Sequence, residues 1–418
     1  MRPHACSRPV SPTRALILES IRRAEGGLTR AQISRSTGIT PQTVSNTTRD
    51  LLDERLLRET GVIPPEGEGR GRPGTVLELN PSGGYAAGIH LDPSELSIVV
   101  VDLLGRIVAE HHGPLPSPVE ADAIVAHAHR TVEGLCSRSG VPSEALFGIG
   151  LAVPGPVNHE AGTTSPPLLP DLGTVPLRRL LAEATGHLVL IDKDLPAMAQ
   201  GHLWTGEAHE GDTFVLLYMG AGTGMATVID GRVLRGQTGN AGETMHLPGN
   251  PYAGSAGDHF LGDSLSERIL TLRARDRGIA LPYPTDTWDP RPISDNLTAL
   301  IALAHDGDHV ARTLFEGAGE TLAATTLAVT EVLDISTVVM AGLVWESAAD
   351  LMLPTLRTRL AGHTIHGAAR PISIRTSSMG RNVGTIGAAC LVLESVLGTT
   401  SPTVRDWSAR RSYGPPSW

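Results

Sequence analysis

Cysteine is nearly missing from this chain of 418 residues. Only Cys6, Cys136 and Cys390 occur, with no CxC or CxxC pair among them, which excludes a disulfide framework and a cysteine zinc knuckle. Reduced thiols are expected. No window offers 18 consecutive apolar residues, so a membrane-spanning helix is excluded as well. The first 15 residues carry arginines and prolines but no apolar h-region, so no secretory signal is read and a cytoplasmic location is expected. Lysine is scarcer than cysteine: Lys193 stands alone, and the other strongly basic side chains are all arginine.

What is present is the composition of globular domains, with 40% hydrophobic and 19% charged residues. At ~100 to 200 residues per domain, the length predicts two to four of them. The formal charge of −10 is unevenly spread, since residues 1–80 hold 12 Arg against 9 Asp plus Glu, giving +3 there and −13 in the remainder. A net acidic chain repels nucleic acid, so any DNA contact has to come from a local basic patch in the N-terminal segment.

That segment reads as three helices and a hairpin. Ser11-Pro12 is an N-cap followed by a first-turn proline, and Ala15, Leu16, Ile17, Leu18 and Ile21 form an apolar stripe that stops near Gly26-Gly27. Thr29 caps a short second helix that carries Ala31 and Ile33 and breaks at Gly38; Thr40-Pro41 opens a third through Val44 and Leu51-Leu52. Two helices joined by a short glycine-containing turn make a helix-turn-helix. On the third, Gln42, Thr43, Ser45, Asn46, Thr47 and Arg49 are polar and lie off the apolar stripe, where they suit base edges or phosphates in a major groove. Leu56 to Glu59 and Thr75 to Leu79 read as strands flanking the Pro/Gly/Arg run from Pro64 to Gly74, a wing whose Arg70 and Arg72 fit an A·T minor groove. The competing reading is a three-helix protein-docking module with a solvated glycine loop.

From Gly84 on, apolar strands alternate with helical stretches, as in α/β domains. Gly88 to Leu91 and Leu96 to Asp102 look like a hairpin, followed by a helix over 119–138. Gly148 to Val157 is a strand entering a Gly/Pro loop. Further strands are expected at Leu188 to Ile191, Phe214 to Met219, Met225 to Ile229 and Thr337 to Met340, with helices at 309–333 and from Gly384 to Leu397. The Ser/Arg/Pro-rich tail at 399–418 is expected to be flexible.

Three runs in this order carry a family resemblance: GIGLAVPGPV from Gly148 to Val157, Gly220-Ala221-Gly222-Thr223-Gly224 before a strand pair, and NAGETMH from Asn240 to His246. They resemble the ROK family of repressors and sugar kinases, and the preceding helix-turn-helix with its GRGRPG wing is similar to the repressor branch. The resemblance covers about residues 12–398. It implies an N-terminal winged helix-turn-helix plus a two-lobed α/β domain of the actin-like, hexokinase-like kind. The expected division is 1–80 for the DNA-binding domain, 81–199 for a first lobe completed by a C-terminal helix at 384–398, and 200–383 for a second lobe. Homodimers or homotetramers are expected.

The resemblance also assigns roles residue by residue. The family's kinases carry Asp-x-Gly-Gly-Thr on the first hairpin, to help hold ATP; here His90 replaces the carboxylate and Pro93 a loop glycine, which removes a backbone donor. The Gly220 loop is kept, whereas Leu343 after Ala341-Gly342 stands where kinases carry glycine. Asp194 aligns with the family's catalytic base and would accept a hydrogen bond from a sugar hydroxyl. A helix N-cap is its alternative role. Lys193 replaces a sugar-binding Asn and, pointing inward, would keep Asp194 ionised and less basic. Glu243 and His246 match the family's sugar-contacting Glu and His, and Pro154 and Gly155, in the Gly/Pro loop that ends the Gly148 strand, are counted with them as effector-binding residues. The family's zinc needs three cysteines after that His; the matching stretch, Pro251 to Asp258, has none, Asp258 and His259 offer only a weak site, and no metal is expected. Phe260 replaces a further sugar-binding Glu, which points to a less hydroxylated or acylated sugar, or to another small molecule.

The expectation is therefore a DNA-binding regulator, a repressor, that binds a double-stranded operator and a small sugar or sugar derivative, with no catalytic residue and no cofactor. Two rivals are an active ATP-dependent sugar kinase with an appended DNA-binding domain, and a regulator whose cleft is vestigial.

Overall fold

The computed structural model describes residues 11–63, 73–206, 213–244, 247, 265–286, 289–363 and 371–398. Local signals set the N-terminal helices. Helix α1 (Pro12–Arg23) starts at Ser11, whose side chain accepts from the Arg14 amide. A short strand β1 (Leu28–Thr29) leads into α2 (Arg30–Thr37), which opens with a reciprocal capping box between Thr29 and Gln32 and closes at Gly38 in the left-handed conformation. Helix α3 (Pro41–Asp53) follows Thr40, which caps the Thr43 amide. Ile17, Leu18, Ile21, Ile33, Val44 and Leu51 are buried between the three helices, each worth ~1.5 to 3 kcal/mol of burial. Strands β2 (Leu57–Ile63) and β3 (Gly74–Leu79) form the antiparallel wing hairpin, and β1 pairs with β3 on its other side. Strand β2 extends past the expected Glu59 because a bulge between Glu59 and Gly61 lets pairing continue to Ile63.

Next come β4 (Tyr85–Leu91), β5 (Leu96–Asp102), β6 (Ile107–Gly113), α4 (Ala121–Ser139), β7 (Leu146–Val153), the small pair β8 (Val157–Asn158) and β9 (Thr163–Thr164), α5 (Leu177–Thr185), β10 (Val189–Lys193) and α6 (Asp194–Thr205). These build a five-stranded sheet of order β10-β7-β4-β5-β6. A second unit holds β11 (Phe214–Met219), β12 (Thr223–Ile229), β13 (Arg232–Val233), α7 (Glu267–Asp276), α8 (Pro290–His305), α9 (His309–Leu333), β14 (Thr337–Ala341), α10 (Leu343–Leu360) and β15 (Ser373–Thr376), with sheet order β13-β12-β11-β14-β15. Each sheet is an antiparallel three-strand meander extended by two parallel strands, the same plan twice.

The last helix, α11 (Val383–Leu397), returns to the first sheet. A Cβ at Gly88 or Gly150 would meet the backbone carbonyls of Thr385 and Ala388, so glycine at these two strand positions is what lets α11 lie directly on β4 and β7. Helix α6 packs against α11 on one side and β12 on the other. One continuous apolar core runs from Ile17, Leu18 and Leu77 through Leu103, Trp204 and Cys390 to Phe214 and Leu216, so the N-terminal domain and both sheets share buried contacts.

Candidate functional site

The polar face of α3 is open: Gln42, Thr43, Asn46 and Arg49 are exposed, and Ser45 and Thr47 are half-buried. Gln42 Nε2 donates to Asn46 Oδ1 at 3.1 Å, which holds both amides along the helix surface. Beneath them Thr48 is buried and its hydroxyl accepts from Arg30 Nε at 3.0 Å, fixing α2 against α3. Arg70 and Arg72 lie outside the described residues.

The cleft between the two sheets is built where β10 passes into α6. Lys193 is the N-cap residue of α6 and is buried, and its ammonium lies 2.6 Å from Glu243 Oε1, with the carbonyls of Ala241 and Asn240 at 3.4 and 3.5 Å. Gly155 covers this pair: a Cβ there would sit 3.2 Å from Lys193 Cε and 3.3 Å from the Glu243 carboxylate. Pro154 takes part through its carbonyl, which accepts from Thr164 Oγ1 at 3.0 Å. Two further ties cross at the same edge. Asn240 exchanges both amide bonds with the backbone of Val157, at 2.7 and 2.9 Å. Buried Asp192 accepts from Arg235 at 3.0 and 3.1 Å and pairs with His159 Nε2 at 2.9 Å. Burial alone would raise the Asp192 carboxyl; Arg235 and His159 outweigh it and hold it below its usual range.

Asp194 is the first helical residue rather than the cap, and its Oδ1 accepts from the Leu195 amide at 2.8 Å. The Lys193 charge favours the ionised form of Asp194, as expected, but burial outweighs it. Lys193 points inward but reaches Glu243, and burial pushes the Asp194 carboxyl up to about 6 despite the opposing charges of His90 and Lys193.

A small hollow at the first hairpin is lined by His90, Asp92, Glu95 and Tyr218. Asp92 is buried, accepts from Ser94 N at 2.8 Å and from the Tyr218 hydroxyl at 3.3 Å. His90 is buried beside it, with Nε2 meeting no partner among the described residues. Glu267, also buried, has its carboxyl pushed up to about 8 by burial and then by the negative charges of Asp92 and Glu95. Glu95 goes the other way: burial raises it, but hydrogen bonds from His112 and Ser97 and the Arg381 charge bring it to about 2. The Gly220-Ala221-Gly222 run is the tight turn of the β11–β12 hairpin, closed by the Gly220 amide donating to the Gly222 carbonyl at 2.9 Å. Nearby, a cavity of about 620 Å³ opens between the units, lined among others by Pro93, Leu115, Leu168, Ala221, Glu267 and Arg268.

Thus Lys193, Asp194, Glu243, Pro154 and Gly155 gather at one place, whereas His246, Asp258, His259 and Phe260 fall outside the described residues. Among the described residues no group of three or more His, Cys, Asp or Glu is arranged to hold a metal. Asp192, His159, Arg235, Asp92, Tyr218 and Glu267 were not singled out by sequence reasoning; they come from separate elements and share no motif. The one available hint was the acidic pair flanking the sole lysine, Asp192 and Asp194.

The chain thus joins a winged helix-turn-helix to two like α/β units around a cleft. Residues 86–395 match the ROK family model, and the chain belongs to the ROK family; residues 9–70 match the MarR family model. The chain is 28% identical over 221 residues to a xylose repressor of Caldicellulosiruptor bescii, an alignment covering 52% of this chain and about half, 54%, of that protein. It is 22% identical over 380 residues to the DNA-binding transcriptional dual regulator NagC of Escherichia coli, covering 89% and 90% of the two chains. Among solved structures, a ROK family transcriptional regulator that is a homolog of the E. coli MLC protein superposes with a TM-score of 0.72 at 21% identity, covering 92% of this chain and 96% of that one. A ROK family glucokinase from Streptomyces griseus in complex with glucose and AMPPNP gives 0.60 at 22%, covering 74% and 99%. The fold read from the sequence is the fold observed.

Proposed function

We propose that this chain is a sugar-responsive transcriptional repressor: the winged helix-turn-helix binds operator DNA, and a small sugar or sugar derivative in the cleft changes operator affinity without being phosphorylated. The observation that carries this reading is the exposed polar face of α3 on a domain whose core continues into the ROK unit. Gln42, Thr43, Ser45, Asn46, Thr47 and Arg49 read the major groove, with Arg70 and Arg72 at the wing. Asp194, Lys193, Glu243, His246, Pro154 and Gly155 form the effector site. In this reading the lobes divide at about 80 and 199, with 384–398 returning to the first lobe, and the effector binds between them. Relatives named as a xylose repressor and as an N-acetylglucosamine repressor support a sugar effector.

The kinase reading is disfavoured by chemistry. The carboxylates of buried Asp92 and half-buried Glu95 line one small hollow with His90, where they would repel nucleotide phosphates, and His90 supplies no carboxylate for Mg²⁺. A homodimer or homotetramer acting in the cytoplasm completes the proposal. The test is selection of duplexes from a random pool by the purified protein, followed by mobility shifts with D-xylose, N-acetylglucosamine and glucose. Sequence-selective binding that one sugar alters supports the reading. Absence of selective DNA binding overturns it.

A further inference from the structure

One buried helix runs from the cleft to the DNA-binding domain. The N-terminal end of α6 carries Lys193 and Asp194 in the cleft, and every residue from Leu195 to Trp204 is buried. Its C-terminal end is gripped by α1. Arg22 Nη1 donates to the Leu203 carbonyl at 3.0 Å and also to the Trp204 carbonyl, and the guanidinium stacks over the Trp204 ring at 4.6 Å from its centre. These carbonyls belong to the last turn of the helix, where intrahelical partners run out and the helix dipole leaves partial negative charge, so a buried guanidinium is a fitting cap. The Trp204 indole is itself fixed by donating to the Leu103 carbonyl at 3.0 Å.

Glu19 holds the other edge of Arg22, at 2.7 to 2.9 Å, and the same carboxylate takes Arg23 Nε at 2.5 Å. Arg23 comes near the second unit: a Cβ built at Gly231, in the turn between β12 and β13, would lie 4.0 Å from its Nη2. Through one carboxylate and two arginines, α1 therefore grips α6 of the first unit and approaches a turn of the second. A twelve-residue helix spans ~18 Å and, packed along its whole length, transmits a displacement rather than absorbing it.

We propose that Arg22 is the positioning residue that seats the DNA-binding domain on the C-terminal end of α6, so that the state of the cleft at Lys193 and the placement of the recognition helix are coupled through that helix. This rests on the cleft being the effector site, but coupling is reciprocal, so it is measurable from the DNA side without knowing the effector.

Lys193, the one lysine of the chain, supplies the readout. Its acylation by an amine-reactive ester, followed by peptide mass, reports how often the cleft opens. The full-length protein is labelled alone and at saturation with a duplex selected from a random pool by that protein. In the wild type, saturation with DNA should change the Lys193 labelling rate by about fivefold or more, the lower end of allosteric coupling. In Arg22→Ala, at equal DNA occupancy, the labelling rate should be the same with and without DNA. Arg22→Lys, which keeps a charge for one carbonyl, should restore part of the difference. Should Arg22→Ala fail to fold, Glu19→Gln, which frees the other edge of Arg22, is read in the same way. A labelling difference that persists in the folded variant, or none in the wild type, overturns the proposal. A purely structural Arg22 would raise labelling equally in both states and leave the DNA-dependent difference intact. Failure to select any duplex would instead count against the repressor reading itself.

Discussion

Lys193 and Glu243 form a 2.6 Å ion pair across the cleft with strongly unequal exposure, 2% for the lysine side chain and 58% for the glutamate. The two partners are therefore not equivalent. Removing the carboxylate strands a buried ammonium on two carbonyls at 3.4 and 3.5 Å, whereas removing the ammonium leaves a carboxylate already in contact with water. Glu243→Gln should lower the unfolding free energy by ~1 to 3 kcal/mol, and Lys193→Met by less than about 1 kcal/mol. Urea unfolding of both variants checks the order; equal losses would mean that the pair is not desolvated on the lysine side.

The same glutamate is expected to matter for the effector more than for DNA. Glu243→Ala should abolish the sugar response in the mobility-shift assay while operator affinity without sugar stays within about threefold, since the residue lies in the cleft and well away from α3. Loss of DNA binding with retained sugar binding, measured by calorimetry, would reassign Glu243 to a structural role.

At the wing, Arg72→Ala should weaken operator binding more than Arg72→Lys, because a narrow groove favours a guanidinium over an ammonium. Affinity should also fall steeply between low and physiological salt as phosphate neutralisation releases counterions. A flat salt response, or an Arg70→Ala/Arg72→Ala double variant with unchanged affinity, would remove the wing from the interface.

Glu267 gives a pH prediction. Its carboxyl sits at about 8 in the folded chain against an ordinary value of 4.5, so between those limits the folded protein holds a proton that the unfolded chain has released. Stability from this group is present below about 4.5 and is lost as pH rises to 8. The melting temperature should fall by several degrees from pH 5 to pH 8.5, and Glu267→Gln, which mimics the protonated form, should flatten that decline. A steeper decline in the variant would show that another group titrates.

No sugar phosphorylation is expected from ATP over a panel of hexoses and pentoses, given His90 in the first hairpin and the carboxylates of Asp92 and Glu95 around it. Turnover that vanishes in Asp194→Asn would reinstate the kinase reading.

The parts of the fold that could be read in advance are those written locally. Thr40-Pro41 and Gly38 delimit α3 and α2 because caps act within one turn, and the spans Phe214–Met219 and 309–333 follow from uninterrupted apolar patterning. Strand β10 ran two residues beyond its expected end at Ile191, because parallel pairing with Ala152 and Val153 holds Asp192 and Lys193 in the sheet. In the cleft, Lys193, Asp194 and Glu243 were legible through motifs. Their surroundings were not, because Tyr218 meets Asp92 across 126 residues and Arg235 meets Asp192 across 43. The raised Asp194 carboxyl likewise depends on how completely the packed chain excludes water, which no short motif records.

The apolar core that passes from Ile17 and Leu18 through Leu103 and Trp204 into the sheets has a consequence for building chimaeras. Grafting the N-terminal eighty residues onto a relative's sensory half would cut through this core and leave mismatched surfaces on both sides of the cut. A graft that works has to carry the Leu103–Leu104 turn and the Leu203–Thr205 end of α6 along with the N-terminal segment, so the transplantable unit is discontinuous in sequence even though the residues proposed to read the operator are not.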